Sequence, residues 1–313
     1  YGDFTDCLAT TLLEQLDLSA GGPAWPVNNQ SYKRCLEIAL KASGFISEPK
    51  SKYLSLDFLE PPPSRPFRPH NIDALDFIQL SYQVEEGPLC VMITKDSMNR
   101  YTAIWHFLMK IKRAALTLRD IWVMFKTALG RSLGDNRVHQ INLFRHEMDH
   151  FVKALEQYVI IQALQVPWKE FSESLQQATG LESLCKAHQD YLHSICHRCL
   201  MEKKTATLAR ILDTIFNLIL QFHTQAAAII VSAKSQFALN GDEGNDDGDH
   251  DEFIDVQPIL PLHWLDRAAA LVQKTRAEFQ EMSATLYNVL YKLCYAKGYQ
   301  PHLHHLLVMM TPH

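Results

Sequence analysis

Apolar residues recur every three or four positions along most of the chain after Asn99, which is the period of an α-helix and not of a β-strand. The first long run places its apolar residues on one face and charged residues opposite. Its apolar face comprises Ile104, Leu108, Ile111, Ala115, Leu118 and Trp122. The same period predicts helices over residues 136–165, 169–179, 181–202, 205–236 and 263–297. Helices of this number and length predict an all-α fold, an elongated bundle of antiparallel helices.

The first part of the chain has a different pattern. Residues 8–18 and 31–43 are short amphipathic runs, and residues 60–66 (EPPPSRP) cannot be helical because their prolines fix the backbone and lack N–H donors. We therefore expect a lead-in segment at residues 1–74, with short helices and a Pro-rich linker. A helical domain should cover residues 75–313.

One stretch at the start of this domain resembles β-structure. Leu80, Tyr82 and Val84 alternate with polar residues, and residues 89–93 form a short apolar run. Both patterns predict short strands or extended chain near residues 78–94.

Charge is concentrated in one place. The chain has a net charge of −5, and residues 241–252 (GDEGNDDGDHDE) contain seven acidic residues and no basic one. The segment fails as a calcium-binding EF-hand loop, because Ile254 stands where the bidentate Glu is required. We expect a solvated acidic loop between two helices. The remaining chain is nearly neutral and shows no basic stripe, so nucleic acid is not expected as a partner.

The cysteines and the first residues indicate the cellular compartment. The seven cysteines are odd in number and have no disulfide-framework spacing, and the start of the chain has no secretory leader pattern. These features predict a reducing compartment, the cytoplasm or nucleus. Because the chain begins with Tyr1 and not with Met, we also expect it to be part of a longer protein.

Residues 214–233 are long enough to cross a bilayer and carry no formal charge. Five polar residues would then lie at membrane depth, whereas the apolar residues recur with the spacing of a core helix. We therefore expect a core helix and no membrane partner.

His146-Glu147-Met148-Asp149-His150 matches the H-E-x-x-H pattern, in which two histidines bind zinc and the glutamate acts as general base. Glu170 could supply a third ligand. Helical geometry turns His146 and His150 away from the apolar face, although a catalytic zinc needs a water-restricted cleft. A zinc-dependent peptidase therefore stays an alternative, and we expect no catalytic residue and no metal site.

A second group of potential ligands occupies residues 193–199 (HSICHRC), with Cys185 upstream. On one helix, Cys199 would share the apolar face, His193 and His197 would lie opposite, and Cys185 would be several turns away. We expect a buried cysteine and exposed histidines, and the histidines after residue 301 should form a tail too short and flexible to be a site. No phosphate-binding loop or G-x-S-x-G motif occurs, so no cofactor is expected.

Several ordered motifs carry a family resemblance. They include Leu80-x-Tyr82-x-Val84, Pro88-Leu89, Ile93-Thr94, Phe107-Leu108, Lys112-Arg113, Phe144-Arg145-His146-Glu147-Met148, Ala187-His188, Tyr191-Leu192 and Gly298-Tyr299-Gln300-Pro301-His302-Leu303. This series resembles the carboxyl-terminal Grip domain of gamma-tubulin complex proteins, most closely that of their sixth, largest component. The resemblance covers about residues 75–303.

The resemblance implies an all-helical domain that binds gamma-tubulin as a structural subunit of the gamma-tubulin ring complex and so supports microtubule nucleation. It also implies a location at the microtubule-organising centre, such as the centrosome, in the cytoplasmic cytoskeleton. Other gamma-tubulin complex components are expected partners through an amino-terminal part that this chain lacks. For gamma-tubulin itself, we expect contacts from exposed polar groups at Asn99, Arg100, Lys110 and Arg113. A generic helical adaptor is a further alternative.

Overall fold

The computed structural model describes residues 2–20, 29–83, 87, 89–128, 136–240, 262–295 and 301–310. Within these ranges most residues are helical, which confirms the all-α prediction. The first two helices, α1 (Gly2–Ala20) and α2 (Asn29–Ala42), pack against each other, and α1 also contacts the first long helix of the bundle. The acidic loop predicted at residues 241–252 lies outside the described residues.

A small antiparallel sheet follows α2. Strand β1 (Leu54–Phe58) pairs with β2 (Ile78–Tyr82), and Leu56 lies opposite Leu80. The prediction of extended chain near residues 78–94 is thus right for β2 and wrong for Leu89–Ile93, because Leu89–Met92 forms a helical turn, α3. A short apolar run without alternation does not distinguish a strand from a helix.

The main bundle consists of long helices that pack side by side. It comprises α4 (Lys95–Ala128), α5 (Asn136–Tyr158), α6 (Val166–Gln177), α7 (Leu181–Arg198), α8 (Ala206–Asn240), α9 (Leu262–Tyr295) and α10 (Pro301–Met309). The 35-residue helix α8 is about 52 Å long at 1.5 Å per residue, and it packs against α4 and α9. It is therefore the central helix of the described bundle.

The helical backbone continues through Pro167, although the sequence predicts two separate helices at residues 136–165 and 169–179. A π-helix (Val159–Gln165) joins α5 to α6, and Val166 keeps right-handed helical angles (φ −64°, ψ −52°). Proline lacks the N–H that would continue the α-helical hydrogen bonds. The wider π turn places Pro167 at the start of the next helix, where that donor is not needed.

Three phenylalanines join α5, α8 and α9 in the core. The ring of Phe144 lies 4.9 Å from that of Phe222 and 5.8 Å from that of Phe279, measured between centroids. Phe144 and Phe222 are fully buried. One buried cluster also includes Leu8 and Leu12 of α1, so apolar packing connects the lead-in segment with the bundle. The domain boundary at residues 74 and 75 stays a prediction.

The range Leu181–Val231 contains a helical window that passes a length-and-composition test for a membrane span. Half of that window is buried inside the protein. The apolar side chains of α8, including Leu212, Phe216 and Ile219, are buried in the bundle, as expected for a core helix. The expectation of no membrane partner stays a prediction.

Candidate functional site

Helix α4 carries all four residues that the sequence analysis named for gamma-tubulin contact. The Thr94 hydroxyl accepts a hydrogen bond from the backbone N–H of Ser97 at 3.3 Å, which caps the start of the helix. Asn99 is exposed on the second turn. Arg100 is partly exposed, and its Nε donates to Asp96 at 2.9 Å. Asn99 and Arg100 are therefore accessible to a partner.

Lys110 is not exposed, and the expectation of an accessible side chain there is wrong. The residue keeps only 9% of its accessible surface, and its Nζ lies 3.2 Å from an oxygen of Asp76 and 3.2 Å from one of Asp213. Burial lowers the pKa of Lys110, but the two carboxylates outweigh it, so the net pKa shift is upward. This ammonium group joins α4 to α8 and to the segment that precedes β2.

Arg113 is also buried, so the expectation of exposure is wrong at this residue as well. Its guanidinium donates to the backbone carbonyls of Pro69 and Asn71, the latter at 2.8 Å. Residues 69–71, which follow the Pro-rich linker, lie over this side of α4 and receive these hydrogen bonds. A helical wheel identifies the polar side of a helix, but it does not show that a distant segment will cover it.

Exposed apolar side chains occur on α3, which precedes α4, and on α6, which packs on α7. Leu89 and Val91 of α3 are 41% and 59% exposed, and Trp168 of α6 is 55% exposed. We call Asn99, Arg100, Leu89, Val91 and Trp168 the α4-start surface. Its apolar members do not stand out in the sequence, because periodicity assigns apolar residues to the core.

Aromatic contacts connect Trp168 with α4. The Trp168 ring lies 6.0 Å from that of Tyr191, which stacks on Phe171 at 4.7 Å. The Phe171 ring lies 6.2 Å from that of His188, whose Nε2 is 2.9 Å from the Tyr101 hydroxyl. These contacts join α4, α6 and α7 and connect Trp168 with Tyr101, the residue that follows Arg100.

The H-E-x-x-H residues do not form a catalytic centre in the described fold. His146 and His150 are exposed, and Glu147 forms an ion pair with Arg276 and accepts from Gln280 of α9. The Glu147 carboxylate is thus bound by two side chains of α9 and does not meet His146 and His150 at a metal site. Glu170 is near Arg198 (3.9 Å). Across the part of the chain that the structure describes, no group of three or more His, Cys, Asp or Glu residues is arranged to hold a metal ion.

The second group of potential ligands is divided as the helical wheel predicts, except that His197 is only partly exposed and its Nδ1 lies 2.7 Å from Glu202. Cys199 is buried, and burial raises the pKa of its thiol to about 12, so it stays protonated. His193 is exposed. The tail histidines differ from expectation, because residues 301–309 form α10, whose apolar side packs on the bundle. His302 is thereby buried beside His197.

Comparison with known proteins identifies the family. The family model described as gamma tubulin complex component C-terminal matches residues 1–311. The chain belongs to the gamma-tubulin complex component family. It is 31% identical over 312 residues to gamma-tubulin complex component 6 of Mus musculus, covering 99% of this chain and 16% of that protein. The Homo sapiens protein of the same name is 30% identical over the same length.

More distant members match shorter parts of the chain. Spindle pole body component alp6 of Schizosaccharomyces pombe is 27% identical over 240 residues, which is 71% of this chain and 27% of that protein. Because the chain spans only 16% of the component 6 proteins, the activities and partners of the whole proteins are not transferred to it by similarity alone.

Proposed function

We propose that this chain is a gamma-tubulin-binding structural part of a gamma-tubulin complex component and supports microtubule nucleation. The observation that carries the proposal is the family match across residues 1–311. A helical scaffold whose described residues include no metal-holding cluster is compatible with this role. Other gamma-tubulin complex components are proposed partners of the full-length protein, and a microtubule-organising centre is its proposed location.

The α4-start surface is the proposed contact with gamma-tubulin. Trp168 is the proposed anchor, since tryptophan is enriched among the residues that dominate binding energy at protein interfaces. Asn99 and Arg100 are the proposed polar members of the same contact. Lys110 and Arg113 act indirectly, because their buried hydrogen bonds hold α8 and residues 69–71 against α4.

The test compares the affinity of gamma-tubulin for single variants of the full chain by biolayer interferometry. Trp168→Ala should weaken binding at least about tenfold, as expected for a central aromatic residue. Arg100→Glu should weaken it about three- to tenfold, mainly through a slower association rate that depends on salt. Asn99→Ala should have a smaller effect in the same direction.

Lys153→Glu is the matched control. Lys153 lies on α5, is 70% exposed and pairs with Asp149 at i,i+4, as Arg100 pairs with Asp96. The control should bind with unchanged affinity. If wild-type chain binds but none of the α4-start variants weakens it, the interface lies elsewhere. If the wild-type chain does not bind at all, the generic adaptor hypothesis replaces gamma-tubulin binding.

A further inference from the structure

Helix α10 docks on the bundle through one face that carries a buried histidine. Leu303, Leu306 and Leu307 are buried, and the helix contacts α9 and α5. His302 stands at the start of the same helix and keeps only 8% of its accessible surface. An ionisable side chain is therefore buried together with the leucines whenever α10 is docked.

The surroundings of His302 suit a neutral imidazole. Its ring lies 4.9 Å from that of His197 on α7, and its Nε2 is buried without a hydrogen-bond partner among the described residues. The nearby carboxylate is Glu202, which already accepts from His197 Nδ1 at 2.7 Å. An added proton on His302 would thus be buried with no acceptor assigned to it.

Charged and titratable groups from several helices surround His302. Helix α7 contributes His197 and Arg198, with Asp190 and His193 further along the same cavity wall, and the turn after α7 contributes Glu202 and Lys204. From α5, the Tyr158 hydroxyl donates to the Arg198 carbonyl at 2.8 Å, and α9 contributes Cys294, which is buried. His304 and His305 lie on α10 itself.

Taken together, these groups disfavour protonation of His302. Burial, together with the positive charges of His197 and Arg198, lowers the pKa of His302 to about 4, and Glu202 acts in the opposite direction. In the undocked helix, the same imidazole would be in water with an ordinary pKa of about 6.5.

We propose that His302 makes the docking of α10 sensitive to pH, with neutral His302 compatible with the docked helix and protonated His302 favouring its release. Because the undocked state binds the proton more tightly, docking is at full strength above about pH 6.5 and weakens as the pH falls toward 4. The difference in proton affinity corresponds to a loss of about two orders of magnitude in the docking equilibrium.

The test is hydrogen exchange of backbone amides in the full chain, corrected for the intrinsic pH dependence of exchange. Between pH 7.5 and 4.5, the protection of α10 should fall by about two orders of magnitude, while amides in the middle of α4 should stay protected. His302→Phe and His302→Gln remove the titration, and in either variant the protection of α10 should no longer depend on pH over this range. Two variants are used because the phenylalanine ring could disturb packing.

His193→Gln is the control, because it removes an imidazole from an exposed position in the same cavity. It should leave the pH dependence of the wild type intact. The proposal is wrong if α10 and α4 lose protection at the same pH. It is also wrong if wild type and both His302 variants lose the protection of α10 in parallel.

Discussion

Replacing Lys110 with methionine should destabilise the protein far more than a surface charge would. The substitution keeps most of the side-chain volume but removes the ammonium that lies 3.2 Å from both Asp76 and Asp213. Breaking a buried ion pair by removing one partner costs about 3–5 kcal/mol. The two carboxylates retain 23% and 35% of their side-chain exposure, and Arg65 still pairs with Asp76 at 2.6 Å. We therefore expect a loss of about 2–3 kcal/mol in the free energy of unfolding.

The assay is urea unfolding followed by circular dichroism at pH 7. The double variant Lys110→Met/Asp213→Asn should recover about 1 kcal/mol or more, because it no longer leaves a partly buried carboxylate without its cation. Burial already raises the pKa of Asp213, and Lys110 opposes that rise. Without Lys110 the folded-state pKa of Asp213 should be higher still, so the folded variant takes up a proton as the pH falls from 7 to 5. The loss in the free energy of unfolding caused by Lys110→Met should therefore become smaller over this range.

The control for this prediction is Lys153→Met, since Lys153 is 70% exposed and belongs to a surface pair. It should change the free energy of unfolding by less than about 0.5 kcal/mol. If Lys110→Met costs no more than this control, or if the double variant shows no coupling, the three charges do not stabilise the junction of α4 and α8.

Two further substitutions test other contacts of the fold. Arg113→Met should cost about 2 kcal/mol in unfolding free energy, because two carbonyls lose a charged donor. Thr275→Val should cost about 1–3 kcal/mol by leaving the buried amide of Gln225 without its partner at 2.9 Å, and adding Gln225→Leu should recover most of that loss. Both are measured by urea unfolding, and losses below about 0.5 kcal/mol would contradict the assigned contacts.

The helices were predictable because their apolar period is local information. The predicted helix at 205–236 and the observed Ala206–Asn240 differ by only a few residues at the ends. The strand β1 was missed because a five-residue strand has a weak local signal and depends on a partner that is twenty or more residues away. The π-helix before Pro167 was missed because a proline in a helical pattern usually marks a boundary.

The candidate site was predictable only in part. Asn99 and Arg100 are accessible, as their position on a polar face indicated. Lys110 and Arg113 share that polar character, yet their partners come from residues 69–76 and from α8, which are close only after folding. Trp168 is an exposed apolar residue, and nothing in the local pattern separates it from residues of the core.

Binding of gamma-tubulin is the central claim and can be measured directly. The 313-residue chain is mixed with GTP-loaded gamma-tubulin at micromolar concentration and analysed by size exclusion with light scattering. The account predicts one earlier peak that contains both proteins, with a mass equal to the sum of the two. Two separate peaks at the masses of the isolated proteins would contradict it.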